Sequence, residues 1–163
     1  MCNDPALSGA EPLKERMTGA QPLPKLEEEI RQQHIILFDG VCNLCNSSVN
    51  FVLKHEKESI FRFASIQSEA GKQLLNWCGL PQEFSAAVIY IGNGNIYLGS
   101  TAALKIGQRL KFPWPWISSA GLFVPKTFRD RVYDQIGIHR YQWFGKRDVC
   151  MIPTKELKAR FYN

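Results

Sequence analysis

The apolar positions of this chain fall into short runs separated by stretches of helical spacing. Residues 34–39, HIILFD, place four apolar residues in a row, which suits a strand buried on both faces at the centre of a sheet. From Cys42 to about Lys57 the pattern turns helical, with Val49, Val52 and Leu53 on one face. FRFAS alternates as a second strand. SEAGKQLLNWCG reads as a helix closed by Gly79, with Pro81 just beyond. AAVIYIG and NIYLGS read as two strands joined by an Asn-Gly turn, a strong hairpin signal because both residues tolerate positive φ. STAALKIGQRL then predicts a helix with Ser100 or Thr101 as its N-cap.

The predicted order is β-α-β-α-β-β-α, an α/β chain. Its first two strands should be parallel through a right-handed crossover, and its last two an antiparallel hairpin. This is the order of a thioredoxin-like mixed sheet. Before it, residues 1–24 mix Pro, Gly, Ala and charges and read as a flexible tail, followed by a short helix over KLEEEIRQQ. After it, KFPWPWISSAGLFVP reads as a connection, then one or two basic helices from about Lys126 to Gly137, then a short tail helix, TKELKARFY. Residues 25–163 are expected to form one domain that includes a helical, aromatic-rich extension from about residue 111.

Charge sharpens that division. Residues 105–147 carry nine Lys and Arg against Asp130 and Asp134, whereas residues 1–104 are net acidic. A basic aromatic segment can bind nucleic acid. Here its large residues recur at helical spacing and need burial, which favours a helical extension with a wet basic face. No apolar run approaches the roughly 20 residues of a membrane helix. The N-terminus lacks a secretory apolar core and is too acidic for a transit peptide, so a cytoplasmic location is expected.

The candidate chemistry sits where the central strand ends, in ILFDGVCNLC. The five cysteines are odd in number and mostly scattered, unlike a secreted disulfide framework. Cys42 and Cys45, three apart on a helix's first turn, have Cα atoms roughly 5–6 Å apart, within disulfide reach. The helix N-terminus favours a thiolate there. Cys42 at the helix mouth is expected to be the exposed attacking thiol, and Cys45, one turn deeper, the resolving one. A zinc or iron–sulfur site is the alternative, in a metal-binding or partner-binding module with a basic C-terminus. It would need ligands from Cys78, Cys150, His34 or His139, none at ligand spacing. Asp39 has two readings: a brace for the Gly40 turn and helix mouth, or a proton relay to the buried thiol. Cys78 reads as core and Cys2 as incidental.

The D-G-x-C-x-x-C arrangement of Asp39, Gly40, Cys42 and Cys45 resembles the DCC family of thiol-disulfide oxidoreductases, named for D-x-x-C-x-x-C. RYQWFGKRDVC, from Arg140 to Cys150, is similar to that family's C-terminal signature, and YLGSTAAL to its Ser-x-Ala stretch. The resemblance spans about residues 34–161. It implies a thioredoxin-like fold and a protein-disulfide reductase activity, with Asp39, Cys42 and Cys45 as site residues and Cys150 as an additional thiol. Lys146 and Arg147 are candidates to support a thiolate or anion. No metal or other cofactor is expected. The partners expected are a disulfide-containing protein or small-molecule substrate and a recycling thiol reductant. Relative to thioredoxin, Asn43-Leu44 replaces Gly-Pro between the cysteines. No proline precedes AAVIYIG, where Ser85 or Ala86 would stand instead.

Overall fold

The computed structural model describes residues 28, 30–82, 84, 87–146 and 157–162. Five strands form one mixed sheet: β1 (His34–Phe38), β2 (Phe61–Ser65), β3 (Ile89–Gly92), β4 (Asn95–Leu98) and β5 (Phe161–Tyr162), in the order β4-β3-β1-β2-β5. The helices are α1 (Asn43–His55), α2 (Glu69–Trp77), α3 (Gly99–Gly107), α4 (Trp114–Phe123) and α5 (Lys126–Phe144). As expected from the crossover, β1 and β2 are parallel, with His34 opposite Phe61 and Phe38 opposite Ser65. β3 and β4 form the antiparallel hairpin, turned by Asn93 and Gly94 at φ 52° and 74°. This positive-φ pair twists with the strands it joins. The α/β architecture, with its β-α-β-α-β-β-α order, is thioredoxin-like.

The central strand explains its own composition. Successive side chains of β1 point to opposite faces, and both faces are covered. Ile35 and Leu37 pack with Ala64, Ile89, Ile91 and, from α2, Leu74 and Leu75. Ile36 and Phe38 pack with Phe61, Phe63, Tyr90 and, from α1 and α3, Val49, Val52, Ala102 and Ile106. Cys78 is buried in the first of these layers, in line with its reading as a core residue. Gly71 lets α2 lie directly on the end of β2. A Cβ there would stand 1.9 Å from the Ser65 carbonyl oxygen.

Four expectations are corrected. The segment read as a connection, KFPWPWISSAGLFVP, contains helix α4. Its Pro115 sits in the first turn, where no intrahelical N–H is needed. α3 begins two or three residues early, at Gly99, with Leu98 as an N-cap that lends no side-chain bond. Ser100 instead donates to Asp130 of α5, and Thr101 lies within the helix. The basic helix runs on to Phe144 rather than ending near Gly137, because Gly137 faces inward and does not break it. The expected tail helix is, in its described part, a short 3-10 turn at Lys158–Arg160 followed by strand β5. Phe161 stacks on Phe63 at 5.2 Å, and Arg160 forks onto Glu56 at 2.5 and 2.7 Å. The open edge of β2 thus offers this segment more than a free helix would.

Before β1, residues 28 and 30–32 are helical, within the helix expected there, while the tail of residues 1–24 lies outside the described residues. Among the described residues no helix is long and apolar enough to cross a membrane.

Candidate active site

β1 runs into Asp39 and Gly40, and α1 starts two residues later with Cys42 as its N-cap. The Cys42 sulfur accepts the Cys45 backbone N–H at 3.4 Å, occupying the place a serine or aspartate oxygen takes in other helices. Asn46 ties the same turn from beneath, donating through its side chain to the Gly40 carbonyl at 2.8 Å. Cys42 and Cys45 are both free thiols, close to each other, at the positive end of α1.

Their accessibility is the reverse of what the sequence suggested. Cys42 is 0% exposed, while Cys45 is half-buried and faces a cavity. The cause lies in the end of α5. Lys146 pairs with Cys42 as an antiparallel β-bridge. Asn43 donates from its backbone to the Gly145 carbonyl at 3.4 Å and from its side chain to the Phe144 carbonyl at 2.9 Å. The chain just after α5 therefore lies across the mouth of α1. Lys146 itself, expected to lend charge to a thiolate, holds its ammonium 5.7 Å from the centre of the Tyr141 ring. Arg147 and Cys150 lie outside the described residues, as do Ser85 and Ala86.

Asp39 is the hub of the site. It is 5% exposed. One carboxylate oxygen accepts the Val41 N–H at 3.2 Å and the Gln67 side-chain amide at 2.8 Å. The other accepts Arg140 at 3.0 Å and the Tyr141 hydroxyl. Gln67 is held in turn by its carbonyl oxygen, which accepts the Gly40 N–H at 3.0 Å and the Ser65 hydroxyl at 2.5 Å. One network thus joins the ends of β1 and β2, the mouth of α1 and the last turns of α5.

The sequence reading did not single out Gln67, Arg140, Tyr141 or Tyr133 as site residues. Arg140 and Tyr141 open the RYQWFGKRDVC block, so a local signal existed, but nothing in it named a partner a hundred positions away. Gln67 carried no local signal at all.

Burial pushes the Cys45 thiol up to about 12, helped by its hydrogen bond and charge interaction with Cys42 and by the nearby Asp39, while Arg140 pulls the other way. Burial also raises the Tyr141 hydroxyl, as does the bond it donates to Asp39. Tyr133 is raised chiefly by burial and accepts the Val88 N–H at 3.1 Å. Burial works against the Arg140 charge, but its bonds and charges with Tyr141, Cys45 and Asp39 outweigh that and hold it protonated.

For the metal alternative, no three His, Cys, Asp or Glu side chains group together among the described residues. Cys78 packs on the opposite face of the sheet from Val49 and Cys45. His34 bonds the Tyr90 hydroxyl at 2.9 Å, and His139 stacks on Trp143.

Residues 36–146 match the family described as DCC1-like thiol-disulfide oxidoreductase. The uncharacterized protein YuxK of Bacillus subtilis (strain 168) is 43% identical over 127 residues, covering 78% of this chain and 92% of that protein. The chloroplastic DCC family protein At1g52590 of Arabidopsis thaliana is 40% identical over 116 residues, covering 71% of this chain and 67% of that protein. No solved structure matches. With the matched span running from the central strand through both cysteines to Lys146, the chain belongs to the DCC1-like thiol-disulfide oxidoreductase family.

Proposed function

We propose that the protein is an enzyme that reduces disulfides, using Cys42 and Cys45 as an electron-exchanging pair. The observation that carries this reading is the Cys42 sulfur at the N-cap of α1, accepting the Cys45 N–H at 3.4 Å. A thiolate there meets a backbone donor and the positive end of the helix dipole. Cys45, pushed up to about 12, keeps its proton at neutral pH.

The Cys42 thiolate attacks a substrate disulfide, forming a mixed disulfide and expelling one substrate thiolate. That thiolate takes the proton from Cys45. The Cys45 thiolate then attacks the Cys42 sulfur, closing a Cys42–Cys45 disulfide and releasing the second substrate thiolate. Two electrons pass to the substrate, and an external thiol reductant returns the pair to its starting state. Because Gly145 and Lys146 cover Cys42, this chain must lift from the mouth of α1 before attack. Lifting it breaks the bonds from Asn43 to the Gly145 carbonyl at 3.4 Å and to the Phe144 carbonyl at 2.9 Å.

Asp39 acts as a brace and charge balance rather than a proton relay. Its two oxygens already accept four donors, and its charge offsets that of Arg140. Lys146 contributes through its backbone. The cytoplasm, where thiols are kept reduced, is the compartment in which such a pair would work as a reductant.

The test is direct. Cys42→Ser should abolish reduction of a model disulfide, and Cys45→Ser should accumulate mixed disulfides detectable by mass. If both variants reduce the substrate at the wild-type rate, the reading is wrong.

A further inference from the structure

We propose that the cavity beside Cys45 binds a small, uncharged, apolar disulfide; this rests on the oxidoreductase reading and names its substrate class. The cavity has a volume of about 660 Å³, the size range of small-molecule sites. It lies between α1, α3, α4 and α5, over the face of the sheet that carries Ile36, Phe38 and Phe63. Phe51, Val52, Leu110 and Trp114 wall the part away from the thiols.

The distribution of polar groups selects the ligand. The charged side chains on the wall are Asp39 and Arg140, and they are paired with each other at 3.0 Å. The Tyr133 hydroxyl is engaged by the Val88 N–H. A ligand with several charges would leave them facing hydrocarbon, which costs several kcal/mol for each unpaired group. An uncharged chain or ring loses nothing there and gains about 0.8 kcal/mol per buried methylene.

The approach is apolar too. Ile136 lines the cavity yet is 38% exposed, and Val132 and Phe128 continue its stripe along α5 at four-residue spacing, 48% and 63% exposed. The thiol on the cavity wall is Cys45, and Cys42 is its hydrogen-bonded neighbour. A disulfide at that end of the cavity lies against Cys45, and its attack by Cys42 follows the lifting of Gly145 and Lys146 from the mouth of α1. Its S–S bond is cleaved to two thiols as Cys42 and Cys45 lose two electrons and two protons and join.

The experiment compares lipoamide, a cyclic disulfide on a short hydrocarbon chain, with glutathione disulfide, which carries several charges. The wild-type protein should favour lipoamide in kcat/KM by about tenfold or more. Ala103 and Ser48, both exposed at the cavity's edge, can be enlarged without entering the core. Ala103→Phe or Ser48→Phe, with an unchanged thermal melt, should cut that preference by about tenfold. Equal rates for the two disulfides, or a preference untouched by both variants, would overturn the proposal. If neither disulfide is reduced, the small-disulfide proposal is overturned, the Cys42→Ser and Cys45→Ser tests still decide the oxidoreductase reading, and calorimetry with octanamide decides whether the cavity takes an apolar ligand. Saturable binding lost in Ala103→Phe sustains an apolar ligand site, and no saturable binding overturns it.

Discussion

Replacing Asp39 by Asn keeps the shape of the side chain and its bond from Val41 but removes the charge that offsets Arg140. The side chains of Arg140 and Asp39 are 7% and 3% exposed, with nitrogen and oxygen 3.0 Å apart. At an effective dielectric of about 20, their attraction is about 5 kcal/mol. Relaxation and water entry return part of it, and leaving one member of a buried pair unmatched typically costs about 3–5 kcal/mol. Urea unfolding of the reduced protein should therefore show Asp39→Asn less stable by about 3 kcal/mol. Arg140→Met removes the other charge, so the double variant should be less damaged than the sum of the two, with a coupling of at least about 2 kcal/mol. The thiols supply an independent readout. Asp39 raises the Cys45 pKa and Arg140 lowers it, so removing only the carboxylate should move the pH profile of Cys45 alkylation to lower pH. Stabilities that add to within about 0.5 kcal/mol, with an unmoved Cys45 profile, would refute the argument that this pair organises the site.

Other expectations follow from the same structure. With Cys45 pushed up to about 12, its alkylation in the reduced protein should keep rising by about tenfold per pH unit through pH 9–10, where an ordinary thiol levels off; mass mapping reads this directly. Arg160→Ala should destabilise by about 3 kcal/mol in urea, since it leaves Glu56 charged and buried and frees β5 from β2. His34 is held below its ordinary pKa, first by burial and then by Arg109. The unfolded chain therefore binds the proton more readily, and stability should fall as pH drops below about 6.5. His34→Gln should flatten that part of the pH dependence of the urea midpoint.

The parts of the fold set by local pattern were legible. HIILFD announced a strand with two covered faces, and β1 has both. The Asn-Gly pair announced the hairpin, and Gly79, at positive φ, closes α2 as expected. What was not legible depends on partners far along the chain. Phe161 and Arg160 looked like the end of a helix because helical spacing was all the local sequence offered; Phe63 and Glu56 supply the reason for a strand. Cys42 looked exposed because helix mouths usually are, whereas the chain following α5 lies across this one. Asp39 had two readings because its partners, Gln67, Arg140 and Tyr141, arrive from two other elements.

The most direct test of the central claim is an equilibrium redox titration of the protein in a dithiol/disulfide buffer, quenched with a thiol-alkylating reagent and mapped by mass spectrometry. The account predicts a single two-electron transition in which Cys42 and Cys45 lose their alkyl labels together and appear in one peptide-to-peptide disulfide, while the buried Cys78 does not change. If Cys42 and Cys45 stay alkylated across the whole range of potentials, or oxidise independently without joining, they are not an electron-exchanging pair.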